Sequence, residues 1–329
     1  MDSKCLGAGS FGDPVQLTGG TQNLLFLLKR DGQRYVLRRP ALKARPGADA
    51  LMLREARVLE ALSGSAVPHP RLIAACDDPA VIGATFYLME AIDGFNATTG
   101  LPASHTGPAA QHAMGLALVD GISALGAVDH RTVGLEAFGR PEGFLERQVS
   151  RWAKEMEGYA RVHDWPGQAA LPPIGELQGW LRRHQPPAFS PGIMHGDYHI
   201  GNVMYRSDAP ALAAIIDWEL STIGDPLLDL AWLVATWPDA SGKSVSPTLE
   251  VSPWAGFPTA AQLVERYRER SSRDLSAIDW YVVLACYKLG IILEGTHVRA
   301  CEGKADLSMG KVFHQAAINL FERACKIIR

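Results

Sequence analysis

Cysteine is scarce and scattered in this chain of 329 residues: five in all, at Cys5, Cys76, Cys286, Cys301 and Cys325, with no C-x-x-C pair. An odd, widely spaced set fits reduced thiols in a cytoplasmic protein and argues against a disulfide framework or a structural zinc site. A charge surplus is missing as well. The formal net charge is −3, which gives no reason to expect nucleic acid as a partner. No run of about 18 apolar residues is legible, so no membrane span is expected. The opening residues, MDSKCLGAGSFGDP, lack the apolar stretch of a signal peptide. Repeats and low-complexity segments are absent, and nothing speaks to oligomeric state. What remains is 47% hydrophobic and 20% charged. That is ample for a substantial core, and the length suits two domains or one bilobal enzyme.

The first ninety residues alternate strand and helix signals. Short apolar runs at 15–18, 24–29 and 34–38 come first, and Asp31-Gly32 marks a hairpin turn between the last two. Residues 50–62 then carry Leu51, Met52, Glu55, Val58, Leu59 and Leu62 at helical spacing. A strand at 86–91 follows and stops at Asp93-Gly94. Beyond it, helical patterns occupy about 109–125, 143–159, 174–184, 260–270, 278–301 and 310–328. A strand-rich island at 192–217 interrupts them. The expectation is an α+β, bilobal molecule: a small β-rich lobe at 1–92 and a larger, mainly helical lobe at 93–329, with a hinge near 90–94.

The island holds the chemistry. It reads His195-Gly196-Asp197-Tyr198-His199-Ile200-Gly201-Asn202, then Ile216-Asp217-Trp218-Glu219. Phosphoryl transfer needs a carboxylate to receive the acceptor's proton and oxygen ligands to hold Mg²⁺ against the phosphates. Asp197 supplies the first; Asn202 and Asp217 supply the second. Two other readings compete. Asp and Asn are ordinary turn and cap residues, and His195-x-Asp197-x-His199 in an extended strand would offer three metal ligands on one face. Gly196 and Gly201 favour a loop over that strand, which leaves His195 as a brace.

H-G-D-x-x-x-x-N followed by I-D-W-E resembles the catalytic loop and metal-binding aspartate of the aminoglycoside phosphotransferase and choline kinase-like family, which has the protein kinase-like fold. The resemblance covers essentially the whole chain. The stretches LTGGTQNLLFLLKRDGQRYVLRRP, LREARVLEAL, GRPEGFLERQVSRW and IDWELSTIGDPLLDLAWL look most like kinase-like domains associated with acyl-CoA dehydrogenases. The resemblance implies Asp197 as catalytic base, Asn202 and Asp217 as Mg²⁺ ligands, and ATP or GTP as phosphoryl donor. It places Arg38 over the phosphates with Glu55 as its helix partner, and arginine there departs from the lysine usual in antibiotic kinases. Gly19, Gly20, Thr21, Gln22 and Asn23 match the phosphate-covering loop. Glu90-Ala91-Ile92 matches the interlobe linker, where the backbone of Glu90 and Ile92 would read the adenine edge. The earlier Gly7-Ala8-Gly9-Ser10-Phe11-Gly12 is a weak loop signal and is expected to be a mobile arm.

The resemblance also puts the acceptor, a small hydroxylated molecule, in the helical lobe facing Asp197. Candidates are Tyr198, His199 and Glu219 around the loop, Arg147, Arg151 and Trp152 along one helix, and Tyr287 on another. No acidic cluster of the kind that gathers polycationic sugars is evident. Basic residues there would suit a hydroxy acid or a hydroxyacyl-CoA. Kinases of aminoglycosides or choline-like amino alcohols, and a nucleotide-binding pseudokinase, are the alternatives. The lack of an activation segment ending in A-P-E argues against a protein kinase.

Overall fold

The computed structural model describes residues 9–17, 23–41 and 46–329. The expected phosphate-cover residues Gly19, Gly20, Thr21 and Gln22 lie outside the described residues, as do Cys5, Gly7 and Ala8.

Five strands make an antiparallel sheet: β1 (Val15–Leu17), β2 (Asn23–Arg30), β3 (Gln33–Pro40), β4 (Leu72–Cys76) and β5 (Phe86–Glu90), in the order β1-β2-β3-β5-β4. The β2–β3 hairpin turns at Asp31 and Gly32, both at positive φ (49° and 73°). A type I′ turn requires this, and it pins the register that sets Arg38 opposite Leu25. Helix α1 (Ala48–Ala61) buries Met52, Glu55, Ala56, Val58 and Leu59 against the sheet. The early glycines depart from the expected mobile arm. The Gly9 amide donates to Asp31, Arg30 Nε donates to the Gly9 carbonyl, the Gly12 amide donates to the Lys29 carbonyl, and Arg30 lies over the Phe11 ring. This described part of the arm docks on the hairpin because its amides find the Asp31 carboxylate and the Lys29 carbonyl, while the Arg30 guanidinium finds the Gly9 carbonyl and the Phe11 ring.

The rest is helical: α2 (Pro108–Ala127), α3 (Phe144–Tyr159), α4 (Ile174–Arg183), α5 (Leu227–Thr236), α6 (Ala260–Arg270), α7 (Ile278–Cys301) and α8 (Leu307–Ile328). Pro108 opens α2 at a position where its missing N–H costs nothing. A Thr259–Gln262 capping box starts α6. Helix α7 corrects one expectation: it is long and apolar enough to cross a membrane by length and composition, although no such run was expected. Within this fold 78% of its most apolar window is buried. It packs against α3, α4, α5 and α8, so it is apolar around its circumference because it is surrounded by protein.

Between α4 and α5 lie four short strands: β6 (Gly192–Met194), β7 (Val203–Tyr205), β8 (Leu212–Ile215) and β9 (Thr222–Gly224). They form two nested antiparallel ladders, β7 with β8 and β6 with β9. The connections 195–202 and 216–221 therefore both run between the inner and the outer ladder, which sets them side by side. The Ile216 amide donates to the Asn202 carbonyl across the gap (2.9 Å).

Candidate active site

The catalytic-loop backbone is held from behind. Asp229 on α5 accepts hydrogen bonds from the His195 and Gly196 amides at 2.7 and 2.9 Å. Gly196 has φ 89°, and a Cβ there would lie 2.3 Å from the Leu220 carbonyl oxygen, so only glycine fits. His195 is fully buried. Its Nε2 donates to the Ile216 carbonyl (2.8 Å), its Nδ1 accepts from the Asp197 amide (3.3 Å), and its ring stands edge-on to Trp218. All its polar atoms are used in joining the two loops, which leaves no metal-ligand arrangement with Asp197 and His199.

Asp197 presents its carboxylate between three donors. Trp232 Nε1 donates to Oδ1 (3.0 Å), His199 Nε2 lies 3.5 Å from Oδ1, and Asn202 Nδ2 donates to Oδ2 (3.1 Å). Burial alone would raise its pKa. His199, with His195 and Lys288, outweighs burial and holds the carboxyl well below the usual carboxylate range. Trp232 was not foreseen, because in the run LLDLAWLVAT it reads as core; its indole N–H reaches the loop only because α5 packs behind it. Trp232→Phe keeps the ring and removes the donor. A hydrogen bond to a charged group is worth roughly 1.5–3 kcal/mol, so kcat should fall about 10- to 100-fold, with the acid limb of its pH profile displaced upward. An unchanged acid limb would show that the indole only fills space.

Asp217 sits at φ 65°, ψ 64°, a left-handed conformation that Asp tolerates better than most residues. The turn aims its carboxylate across the cleft at Arg38, where Oδ1 accepts from Nη2 at 2.7 Å. Arg38 is 7% exposed and Glu55 1%. Arg38 Nε lies 3.0 Å from Glu55 Oε2, which also accepts from the Tyr87 hydroxyl at 3.0 Å. Burial pushes the Glu55 carboxyl up to about 7, although Arg38 and Tyr87 pull the other way. Sheet, helix α1 and the Asp217 loop thus meet at one guanidinium.

A cleft of about 500 Å³ collects the expected nucleotide-side residues: Asn23, Arg38, Glu90, Ile92, Asn202 and Asp217 all line it. Glu55 lies just behind Arg38. Glu219, expected beside the acceptor, lines this same cleft, accepts a hydrogen bond from Asn23 Nδ2 (3.4 Å) and lies 3.7 Å from Arg38. Oxygen ligands for a hard cation are present. Asn202 commits its Nδ2 to the Asp197 carbonyl and carboxylate, which leaves its own carbonyl oxygen as the uncommitted end, and the Asp217 carboxylate opens to the same cleft. This all-oxygen pair fits Mg²⁺.

A second cavity of about 830 Å³ touches the catalytic loop at Gly196 from the helical side. Arg147, Arg151 and Trp152 line it, together with Arg140, Lys154 and Lys288. Arg147 is partly committed, donating to the Arg140 and Glu142 carbonyls. Two other candidates are elsewhere. Tyr198 is fully buried and donates to the Leu118 carbonyl (2.7 Å). Tyr287 is fully buried beside Gln178 and Val149. Apolar packing on both sides takes their rings into the core, away from the cavity. His199 stays at the loop, its Nδ1 accepting from the Gly201 amide. Lys288, one residue beyond Tyr287, is the side chain that reaches the cavity. It lies 4.6 Å from the Trp232 ring centroid, and burial lowers its pKa to about 8 while Asp197 and Asp229 hold it up.

The sequence profile of the phosphotransferase enzyme family matches residues 13–273. Acyl-CoA dehydrogenase family member 11 of Gallus gallus is 30% identical over 320 residues, covering 95% of this chain and 40% of the relative. Acyl-CoA dehydrogenase family member 10 of Mus musculus is 27% identical over 300 residues, covering 88% of this chain and 27% of the relative. The chain therefore spans less than half the length of these curated relatives. Among solved structures, a Ralstonia eutropha protein provisionally described as an aminoglycoside phosphotransferase superposes with a TM-score of 0.79 at 30% identity, over 97% of this chain and 94% of that one. The GDP and kanamycin complex of APH(2″)-IIIa superposes with a TM-score of 0.61 at 17% identity, over 96% and 94%. The fold is thus the α+β, bilobal, kinase-like fold of the aminoglycoside phosphotransferases.

Proposed function

This chain belongs to the phosphotransferase enzyme family, and on that premise we propose that it moves the γ-phosphate of ATP or GTP, with Mg²⁺, onto a hydroxyl of a small anionic molecule, a hydroxy acid or a hydroxyacyl-CoA. The cleft between lobes 1–92 and 93–329 takes the nucleotide, with the backbone of Glu90 and Ile92 against the base. Structural neighbours crystallised with GDP or ADP support a nucleotide as the substrate. Arg38, held by Glu55, neutralises phosphate oxygens. Mg²⁺ held by Asn202 and Asp217 would supply charge neutralisation on the phosphates. Asp197 orients the acceptor hydroxyl and takes its proton. With its pKa held so low it is a weak base. That suits a loose transition state in which the proton leaves late, so the carboxylate contributes mainly by position.

The observation that carries the acceptor class is the charge of the second cavity. Five basic side chains line it (Arg140, Arg147, Arg151, Lys154 and Lys288) against one acidic, Glu146. Among the described residues neither Arg151 nor Lys288 has an ion-pair partner within 4.0 Å. Trp152 Nε1, also in that wall, has no hydrogen-bond partner among the described residues. Unpaired cations beside a reactive carboxylate attract an anion and repel an amine. The acyl-CoA dehydrogenase name of the curated relatives is consistent with an acceptor presented as an acyl-CoA.

Steady-state ADP release across hydroxy acids, their CoA thioesters, neutral alcohols, choline-like amines and aminoglycosides tests this. Anionic acceptors should have the highest kcat/KM. Lys288→Met should raise their KM about 10-fold or more, the value of a charge-assisted contact, without moving the nucleotide KM. The charge on Lys288 is lost as pH rises through about 8, so the acceptor KM should climb above that pH. Lys288→Arg should abolish the climb. Highest kcat/KM with an aminoglycoside or choline-like amine would reject the anionic acceptor.

A further inference from the structure

Away from both cavities, α7 and α8 bring together four side chains that neither the cleft nor the acceptor pocket uses. Glu294 and His297 stand one turn apart on α7, Cys301 stands one further turn on, and His314 faces them from α8. Ligand atoms of Glu294, His297 and His314 all lie within 4.8 Å of one another. Glu294 is completely buried: one carboxylate oxygen accepts from Trp165 Nε1 (2.6 Å), and the other lies 2.7 Å from His314 Nδ1. The two imidazole rings lie 4.5 Å apart. His297 is 6% exposed; among the described residues its Nδ1 meets only the Gly310 backbone, without a well-formed hydrogen bond, and its Nε2 lies 3.7 Å from Cys301 Sγ.

A helix-to-helix ion pair between Glu294 and His314 accounts for two of these residues. It leaves unexplained a second buried imidazole without a proper partner and a thiol turned toward it. The set reads better as a ligand shell. Sulfur and nitrogen bound tetrahedrally to zinc, at about 2.3 and 2.1 Å, are about 3.6 Å apart, close to the Cys301–His297 separation. Trp165 then has the part of the outer donor that orients a ligating carboxylate. We propose that Glu294, His297 and His314 form a structural site for one borderline-soft divalent ion of the zinc type, stapling α7 to α8, with Cys301 Sγ swinging in beside His297 as the fourth donor. Mixed oxygen, nitrogen and sulfur donors separate it from the all-oxygen Mg²⁺ pair in the cleft. The sparse cysteines argued against structural zinc because the four donors are split between two helices and match no cysteine-pair spacing.

The test is a titration of the full chain, purified through chelator, with Co²⁺ as an optical stand-in for Zn²⁺. One equivalent should bind, with the intense visible bands of a tetrahedral site and a thiolate-to-cobalt charge-transfer band, and Zn²⁺ should displace it. Cys301→Ser, a conservative change at a partly exposed position, should lose the charge-transfer band. Trp165→Phe should weaken affinity about 10- to 100-fold. His297→Ala with His314→Ala should lose the stoichiometric site, while circular dichroism reports whether that variant is folded. A wild-type chain that binds no stoichiometric Co²⁺ or Zn²⁺, or a charge-transfer band that survives Cys301→Ser, would overturn the site.

Discussion

Asp197→Asn should lower kcat by about 10²- to 10⁴-fold, the range for losing a positioned general base, and leave nucleotide affinity unchanged. The carboxylate contacts Trp232, His199 and Asn202, whereas Arg38 is braced by Glu55 and Asp217. Asn keeps an oxygen that can accept from Asn202 Nδ2, so the substitution removes charge and proton acceptance at one point while leaving the Asn202 side of the cleft in place. The wild-type pH profile should complement it. A carboxyl held below its ordinary range stays ionised as pH falls, so the acid limb of kcat should not begin until below about pH 4. Titration calorimetry for nucleotide, with stopped-assay kcat for the same variant, separates the two effects. Loss of nucleotide binding alongside kcat would mean that Asp197 acts through the cleft's architecture.

Arg38→Ala should be the most damaging change in the nucleotide lobe, in stability as well as rate. It strands Glu55, whose remaining described partner is the Tyr87 hydroxyl. Breaking a buried pair from one side typically costs about 3–5 kcal/mol. It also removes the cation proposed to neutralise the phosphates, and loss of such a charge-stabilising donor usually costs about 10²- to 10³-fold in kcat. The stability deficit should depend on pH. Burial already raises the folded-state pKa of Glu55 to about 7, and without Arg38 it rises further. A carboxyl raised above its unfolded value favours folding at low pH, and that contribution is lost as pH rises through the folded pKa. The Tm gap between wild type and Arg38→Ala should therefore be small near about pH 5 and widen toward about pH 8. Glu55→Gln on the Arg38→Ala background should close most of the gap. A pH-independent gap would mean that Glu55 is not the group left uncompensated.

Local signals were the readable ones. Asp31-Gly32, the spacing of Leu51 to Leu62, and the island from His195 to Asp217 each act over a few residues, so hairpin, helix and catalytic loop could all be read from neighbours in the chain. The pairing of β6 with β9 around β7 and β8 was only partly visible, because β9 is three residues long. What escaped depends on packing. Trp232 looks like every other apolar residue of α5 until α5 lies behind Asp197. Tyr287 and Lys288 are adjacent, and helical rotation alone sends the tyrosine to the core and the lysine to the cavity. Helix α7 is apolar enough for a membrane only because four helices surround it. Glu294, His297 and His314 are brought together by the α7–α8 hairpin, a relation that no spacing in a single segment encodes.

One measurement tests phosphoryl transfer by this chain most directly: incubation of the wild-type chain and Asp197→Ala with Mg²⁺, nucleotide labelled at the γ-phosphate, and the acceptor panel, with the label followed into every product. The label should appear in a small-molecule phosphate ester, one per nucleoside diphosphate released, and be lost with Asp197→Ala. Label confined to inorganic phosphate or to protein, or an ester formed equally well by Asp197→Ala, would contradict the site described here.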